Sequence, residues 1–259
     1  MINTESQLKT DYENARIIDY RDPTNPNNEI LITCEHATND LPEDYSWTEN
    51  DKRHFVNEHW GLDIGAYEMA NALAAELKCV FVHSLYSRLL LDTNRSIVSD
   101  TLFRKTGDGH EVDINKNLTH EEEQNRIKRF YIPYYDALRE ISTKVDPTYI
   151  LSIHSFTPIY QGEPRSMEIG VLYGHDSTKL AIDLNDAMNS KGYASDINKP
   201  YDGITTMGTV KSLIYAKHPT KRQGITFEFR NDILTNEARK GHLKKCTIEA
   251  IQEVCCRVE

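Results

Sequence analysis

The sequence predicts an α/β protein: one three-layer α/β/α domain built around a mostly parallel, mixed sheet, hydrolase-like in type. Three observations carry that expectation. Short apolar, β-branched runs such as Ile30–Ile32, Tyr149–Ile153 and Ile225–Phe229 alternate with longer segments whose apolar residues recur at helical spacing. No internal repeat or low-complexity linker divides the chain. Its 259 residues suffice for a single domain with a substantial core.

Each element has its own signal. Residues 1–27 are polar and run into the turn-rich DPTNPNN at 22–28, so they read as a lead before one domain spanning 28–259. After the first strand, Leu62–Leu77 is Ala-rich with Ile64, Met69, Ala70, Leu73 and Leu77 on one helical face, and Asp63 falls in its first turn. Cys79–His83 and Arg88–Leu91 are short strand-like runs. From Ile97 to Leu118 the pattern is irregular, and Gly107 and Gly109 mark a mobile loop able to act as a lid. Thr119 with Glu122 is a capping box opening a helix to about Lys144, which Asp146-Pro147 stops. Tyr149–Ile153 is a strand leading into His154, Met167–Tyr173 another, and Ser177–Lys191 a helix ended by Gly192. The strand Ile225–Phe229 carries Glu228, and Thr235 can cap a last amphipathic helix.

Composition narrows the function. A formal net charge of -10 without a long basic run argues against nucleic acid or an anionic membrane as the main partner and favours a small molecule or peptide. The first residues lack the apolar core of a signal peptide, and no stretch approaches the roughly 18 apolar residues of a membrane span, so a cytoplasmic protein is expected. The five cysteines include no C-x-x-C pair and point to reduced thiols rather than a disulfide scaffold. Oligomeric state leaves no trace in the pattern.

Chemistry concentrates where strands end. Asn28–Pro42, NEILITCEHATNDLP, passes from a buried strand directly into Glu35, His36, Asn39 and Asp40, and the strand at 149–153 likewise delivers His154. In open α/β sheets ligands bind beyond the carboxyl ends of strands, so two such strands side by side bring both imidazoles into one crevice. His36, His154 and Asp63 then make a catalytic zinc set with a position left for water, one ion per chain, although iron, manganese or cobalt also suits these ligands. Glu228 can act as the base: in GITFEFR, alternation sets Thr226, Glu228 and Arg230 on the face opposite Ile225, Phe227 and Phe229. The competing reading is an edge-strand ion pair. Arg88 and Arg95, flanking SRLLLDTNRS, offer guanidinium forks for an acidic substrate, or pair internally with Asp92. His218, just before the Glu228 strand, is kept as an oxyanion donor or substrate contact. His59 and His83 read as structural.

The ordered series CEHATNDLP, LDIGAYEMANALAAEL, SRLLLDTNRS, SIHSFTP, IGVLYG, KPYDG and ITFEFRNDIL resembles the N-formylglutamate amidohydrolase family over about residues 30–234. The resemblance implies a zinc-carboxypeptidase-related fold and hydrolysis of N-formyl-L-glutamate to formate and glutamate, a step of histidine degradation. It implies His36 and His154 as zinc ligands with Asp63 as the third, and Glu228 as general base and acid. Arg88, Arg95 and Arg230 become contacts to the substrate carboxylate or the oxyanion. Carboxypeptidase-like sites carry a Glu three residues after the first His; here that position is Asn39, which leaves Asp40 and Glu35 as alternatives to Asp63. Two other readings stay open: a peptidoglycan or peptide amidase with the same metal set, and a non-catalytic carboxylate-binding protein on the same fold.

Overall fold

The computed structural model describes residues 8–22, 29–174, 177–215 and 222–256; His218 lies outside them. In chain order the strands are β1 (Asp11–Tyr12), β2 (Ala15–Asp19), β3 (Ile30–Cys34), β4 (Val80–Ser84), β5 (Thr106–Gly107), β6 (His110–Glu111), β7 (Tyr149–Phe156), β8 (Ile159–Tyr160), β9 (Glu163–Pro164), β10 (Ile169–Tyr173), β11 (Ser195–Ile197) and β12 (Gln223–Arg230). Eight of them form one sheet in the order β1-β2-β4-β3-β7-β12-β10-β11, while β5-β6 and β8-β9 are separate hairpins. The centre, β4-β3-β7-β12, is parallel, as is β10-β11. The pairings β1-β2, β2-β4 and β10-β12 are antiparallel. The fold is thus the expected α/β class with a large mixed sheet.

The helices are α1 (Glu49–His54), α2 (Ala66–Leu77), α3 (His120–Arg126), α4 (Ile132–Lys144), α5 (Thr178–Ser190), α6 (Gly203–Thr206), α7 (Gly208–Tyr215), α8 (Asn231–Leu234) and α9 (Glu237–Cys255). Strand alternation sorts the core onto the two faces of the sheet. Ile225, Phe227 and Phe229 of β12 join Ile30 and Ile32 of β3 and Leu151 and Ile153 of β7 beneath α2, α5 and α9. Leu31, Ile150, Val80 and Val82 point the other way, against Tyr134, Leu138 and Ile141 of α4 and Val210 and Leu213 of α7. A fully buried Phe such as Phe227 or Phe229 contributes roughly 1.5–3 kcal/mol.

On the second face the register lines up polar side chains. Ser152 of β7 sits beside Thr33 of β3 and Thr226 of β12, and one step further toward the carboxyl ends His154 sits beside Glu228. The apolar layer therefore gives way to a buried polar row just where parallel strands in an α/β sheet open to ligand.

Several expectations need correction. Part of the polar lead joins the sheet as β1 and β2: β2 pairs antiparallel with β4, and Ala15 and Ile17 are buried because the A-R-I alternation presents an apolar edge that the turn-rich stretch after it masks. Helix α2 begins at Ala66, not Leu62, because Gly65 at its start takes φ 79°; Asp63 lies ahead of the helix, where the Ala66 amide donates to its carbonyl. Arg88–Leu91 is a turn, not a strand, since the Ser87 hydroxyl accepts from the Leu89 amide and the Ser87 carbonyl from the Leu90 amide. Within 97–118, β5 and β6 form a hairpin turning through Asp108 and Gly109, both at positive φ as a type I′ turn requires. That segment is tied down: Asp51 accepts the amides of Asp113 and Ile114, and Asn115 donates to the carbonyls of Leu89 and Arg104. The 119–144 helix has its capping box but is interrupted by a π-helical turn at Ile127–Tyr131. His154 lies inside β7 rather than after it. Asn236, not Thr235, caps α9; Thr235 ends α8, its hydroxyl donating to the Asn231 carbonyl. Among the described residues no helix is long and apolar enough to cross a membrane.

Candidate active site

His36 follows β3 in a turn, and the chain returns to it at Asp63, whose amide donates to the His36 carbonyl at 3.0 Å. Asp63 is further tied to β7: the Ser155 amide donates to its carboxylate at 3.3 Å, and the Ser155 hydroxyl donates to the Ile64 carbonyl at 2.9 Å. These bonds place one carboxylate oxygen, Asp63 Oδ2, 3.3 Å from His36 Nδ1 and 2.7 Å from His154 Nδ1. The imidazoles lie edge to face, with centroids 4.7 Å apart. One ligand atom from each of His36, Asp63 and His154 falls within 4.8 Å of the others, and all three residues are buried, so the group could bind a metal ion.

The far nitrogen of each imidazole meets a second carboxylate. His36 Nε2 is 2.8 Å from Asp92 Oδ1, and His154 Nε2 is 2.8 Å from Glu35 Oε2. Glu35 is held in turn by the Tyr134 hydroxyl at 2.8 Å and the Ser152 hydroxyl at 2.7 Å. Such outer carboxylates fix ring orientation and tautomer and leave the inner nitrogens to a cation. Glu35 therefore stands behind His154, one of the three residues that could hold an ion. Asp40 is exposed, its carboxylate accepting from the Thr38 hydroxyl, and Asn39 donates to the Val56 carbonyl, so neither joins the group.

Charge in this cluster is unevenly tuned. Burial disfavours the His154 imidazolium, but its bonds to Asp63 and Glu35 outweigh that and raise it to about 10. Burial likewise opposes ionisation of Glu35, yet bonds from His154 and Ser152 bring it down to about 2. Glu228 behaves in the opposite way: burial, with Asp63 nearby, pushes it up to about 8 against the pull of His154. Its Oε2 is buried without a hydrogen-bond partner among the described residues.

Glu228, His36, Asp63 and His154 line one cavity of about 180 Å³. Arg88 lines it too, but its guanidinium is committed to Asp63 at 3.3 Å and Asp92 at 2.9 Å. Arg95 lines the cavity with no carboxylate bonded to it among the described residues; it donates to its neighbour's carbonyl at 3.3 Å. Arg230 is not in the lining: it donates to the carbonyls of Arg165 and Met167 and pairs with Asp232 at 2.8 Å. His83 is structural, Nδ1 against the Ser84 carbonyl. Sequence reasoning missed Arg104, Trp60, His59, Tyr160 and Tyr201, all in the cavity wall. Only the clustering of Trp60 with His59 gives a local hint.

A family model described as N-formylglutamate amidohydrolase matches residues 28–235. Among curated proteins no sequence match is found. Among the solved structures that share the fold are two crystal structures. The gene product Atu2144 from Agrobacterium tumefaciens superposes with a TM-score of 0.82 at 23% identity, covering 94% of this chain and 95% of its own. The N-formylglutamate amidohydrolase from Ralstonia eutropha JMP134 gives a TM-score of 0.69 at 16% identity, covering 95% of this chain and 100% of its own.

Proposed function

The chain belongs to the N-formylglutamate amidohydrolase family, and from that membership and the site's geometry we propose that it hydrolyses the amide of a small N-acyl amino acid with a free carboxylate, N-formyl-L-glutamate being the leading substrate. The observation that carries this reading is that Glu228, one of whose carboxylate oxygens has no hydrogen-bond partner among the described residues, lines the same cavity as His36, Asp63 and His154.

Those three residues suit a divalent cation: two imidazole nitrogens and a carboxylate oxygen converge, and each imidazole is braced from behind by an acid. When bound, zinc or a similar ion makes water more acidic and polarises a carbonyl. Glu228 takes the proton of the attacking water as the new C–O bond forms at the acyl carbon. It then delivers that proton to the amide nitrogen as the C–N bond breaks, so that formate and the free amine leave. In the metal-free protein burial raises this carboxyl to about 8, so it can hold a proton near neutral pH, and a cation bound beside it would favour the carboxylate that accepts one. Arg95 faces the cavity as a contact for substrate carboxylate or oxyanion. Arg88 takes a positioning role instead, holding Asp63 through Oδ1 while Oδ2 is left to the imidazoles.

A cavity of about 180 Å³ favours a small substrate over a peptidoglycan strand. The test is Glu228→Gln in the metal-loaded enzyme. The variant keeps its metal stoichiometry and loses roughly a hundredfold or more of kcat on N-formyl-L-glutamate. Turnover at the parental rate would remove Glu228 from the chemistry, and a fully active protein without any metal would remove the cation.

A further inference from the structure

The cavity lining also holds cationic and aromatic residues, most of them unused by the mechanism above. Of the three arginines in it, Arg88 already has two carboxylates, whereas Arg104 has no hydrogen-bond or ion-pair partner for its guanidinium among the described residues. Instead the guanidinium lies over the Trp60 ring, 4.9 Å from the centroid. A cation–π contact uses none of the guanidinium's N–H donors in a hydrogen bond and so leaves them available to a ligand.

The support beneath it is built. The Trp60 indole N–H donates to Asp108 at 2.8 Å. The ring also presses on Gly107, where a Cβ would stand 3.0 Å from it, so the β5-β6 hairpin clamps the indole. The Arg104 carbonyl accepts from Asn115 at 2.8 Å, which fixes the backbone. Beside Trp60, with ring centroids 4.7 Å apart, His59 also lines the cavity, and its Nε2 is buried without a hydrogen-bond partner among the described residues. A cation and a ring nitrogen beside one indole, neither with a hydrogen-bond partner among the described residues, have the chemistry to take a planar anion.

We infer that Arg104, stacked on Trp60 and flanked by His59, binds the side-chain carboxylate of the substrate and sets the preference for acidic over neutral N-acyl amino acids. This rests on the amidohydrolase reading for its substrate, though not for its anion. The role is specificity: Arg104 recognises the part of the substrate away from the scissile amide.

The experiment compares kcat/KM for N-formyl-L-glutamate and N-formyl-L-glutamine in the metal-loaded parent and in Arg104→Gln, Arg104→Lys and, as a control, the exposed neighbour Lys105→Gln. The glutamate-over-glutamine ratio falls about ten- to a hundredfold in Arg104→Gln, the range for losing a charged hydrogen bond, with the change chiefly in KM. It falls less in Arg104→Lys, which keeps charge without the planar fork, and stays at the parental value in Lys105→Gln. An unchanged ratio in Arg104→Gln, or equal losses on both substrates, overturns the assignment. Calorimetric binding of glutarate against its monoamide reads the same subsite without turnover and uses Arg104→Lys should the Gln variant not fold. If the parent hydrolyses neither formyl compound, the amidohydrolase reading fails by itself. The subsite then stands if the parent prefers glutarate and the variant does not, and falls if the parent shows no such preference.

Discussion

Asp92 illustrates how the far side of an imidazole governs its near side. Its Oδ1 meets His36 Nε2 at 2.8 Å and also accepts the Asn94 amide at 3.0 Å, while Oδ2 holds Arg88 at 2.9 Å. Replacing it by Asn keeps the shape but removes the charge that would raise the basicity of His36 toward the proposed cation. We expect Asp92→Asn to weaken zinc binding about ten- to a hundredfold, measured by competition with a chromogenic chelator, with the fold intact by circular dichroism. Affinity equal to the parent's would show that Asp92 serves only Arg88. From sequence, Arg88 with Asp92 four residues on admits both an internal pair and a substrate contact, because Arg serves carboxylates of either kind equally well. The structure gives Arg88 the internal pair, and with it the outer carboxylate that spacing alone cannot reveal.

The element that crowds Glu228, the proposed base, is β10, whose Gly170 pairs with it across the antiparallel ladder. A Cβ on Gly170 would stand 1.9 Å from the Lys199 carbonyl oxygen and 3.2 Å from the Glu228 Cβ, so backbone and base both approach this position because it has no side chain. Gly170→Ala should therefore destabilise the protein by about 1–3 kcal/mol in urea titration, as overpacking does, and lower kcat along with it. A variant with parental stability and kcat would mean that the 198–203 segment yields freely. Elements of this kind were legible in sequence wherever the signal is local. The apolar runs of β3, β7 and β12 and the Thr119 box declare themselves within a few residues. Leu89–Leu91 misled because three consecutive apolar residues suit a buried turn as well as a strand. The Arg104, Trp60 and His59 wall was illegible for another reason: it forms when a hairpin folds back on a distant turn, a contact that no periodicity records.

At the scale of the whole molecule, the buried cluster ties protonation to stability and, with the proposed cation bound, to metal affinity as well. In the metal-free protein His154 is raised from 6.5 to about 10, so its stabilising contribution is complete below pH 6.5 and is lost as pH climbs through 10. Glu35 is lowered from 4.5 to about 2, so its contribution is present above pH 4.5 and is lost as pH falls through 2. These two contributions are both complete between about pH 4.5 and 6.5. A cation needs the same His154 nitrogen without its proton, so loading releases a proton and affinity climbs with pH, by about tenfold per unit while that proton is bound. Because a ligand stabilises by RT ln(1 + [L]/Kd), the rise in Tm produced by a fixed excess of zinc should be small at pH 5.5 and clearly larger at pH 8. Calorimetry of the chelated and reloaded protein at both values checks this. Increments that match at the two pH values would mean that metal does not displace the His154 proton, and His154 would then be a structural imidazolium rather than a ligand.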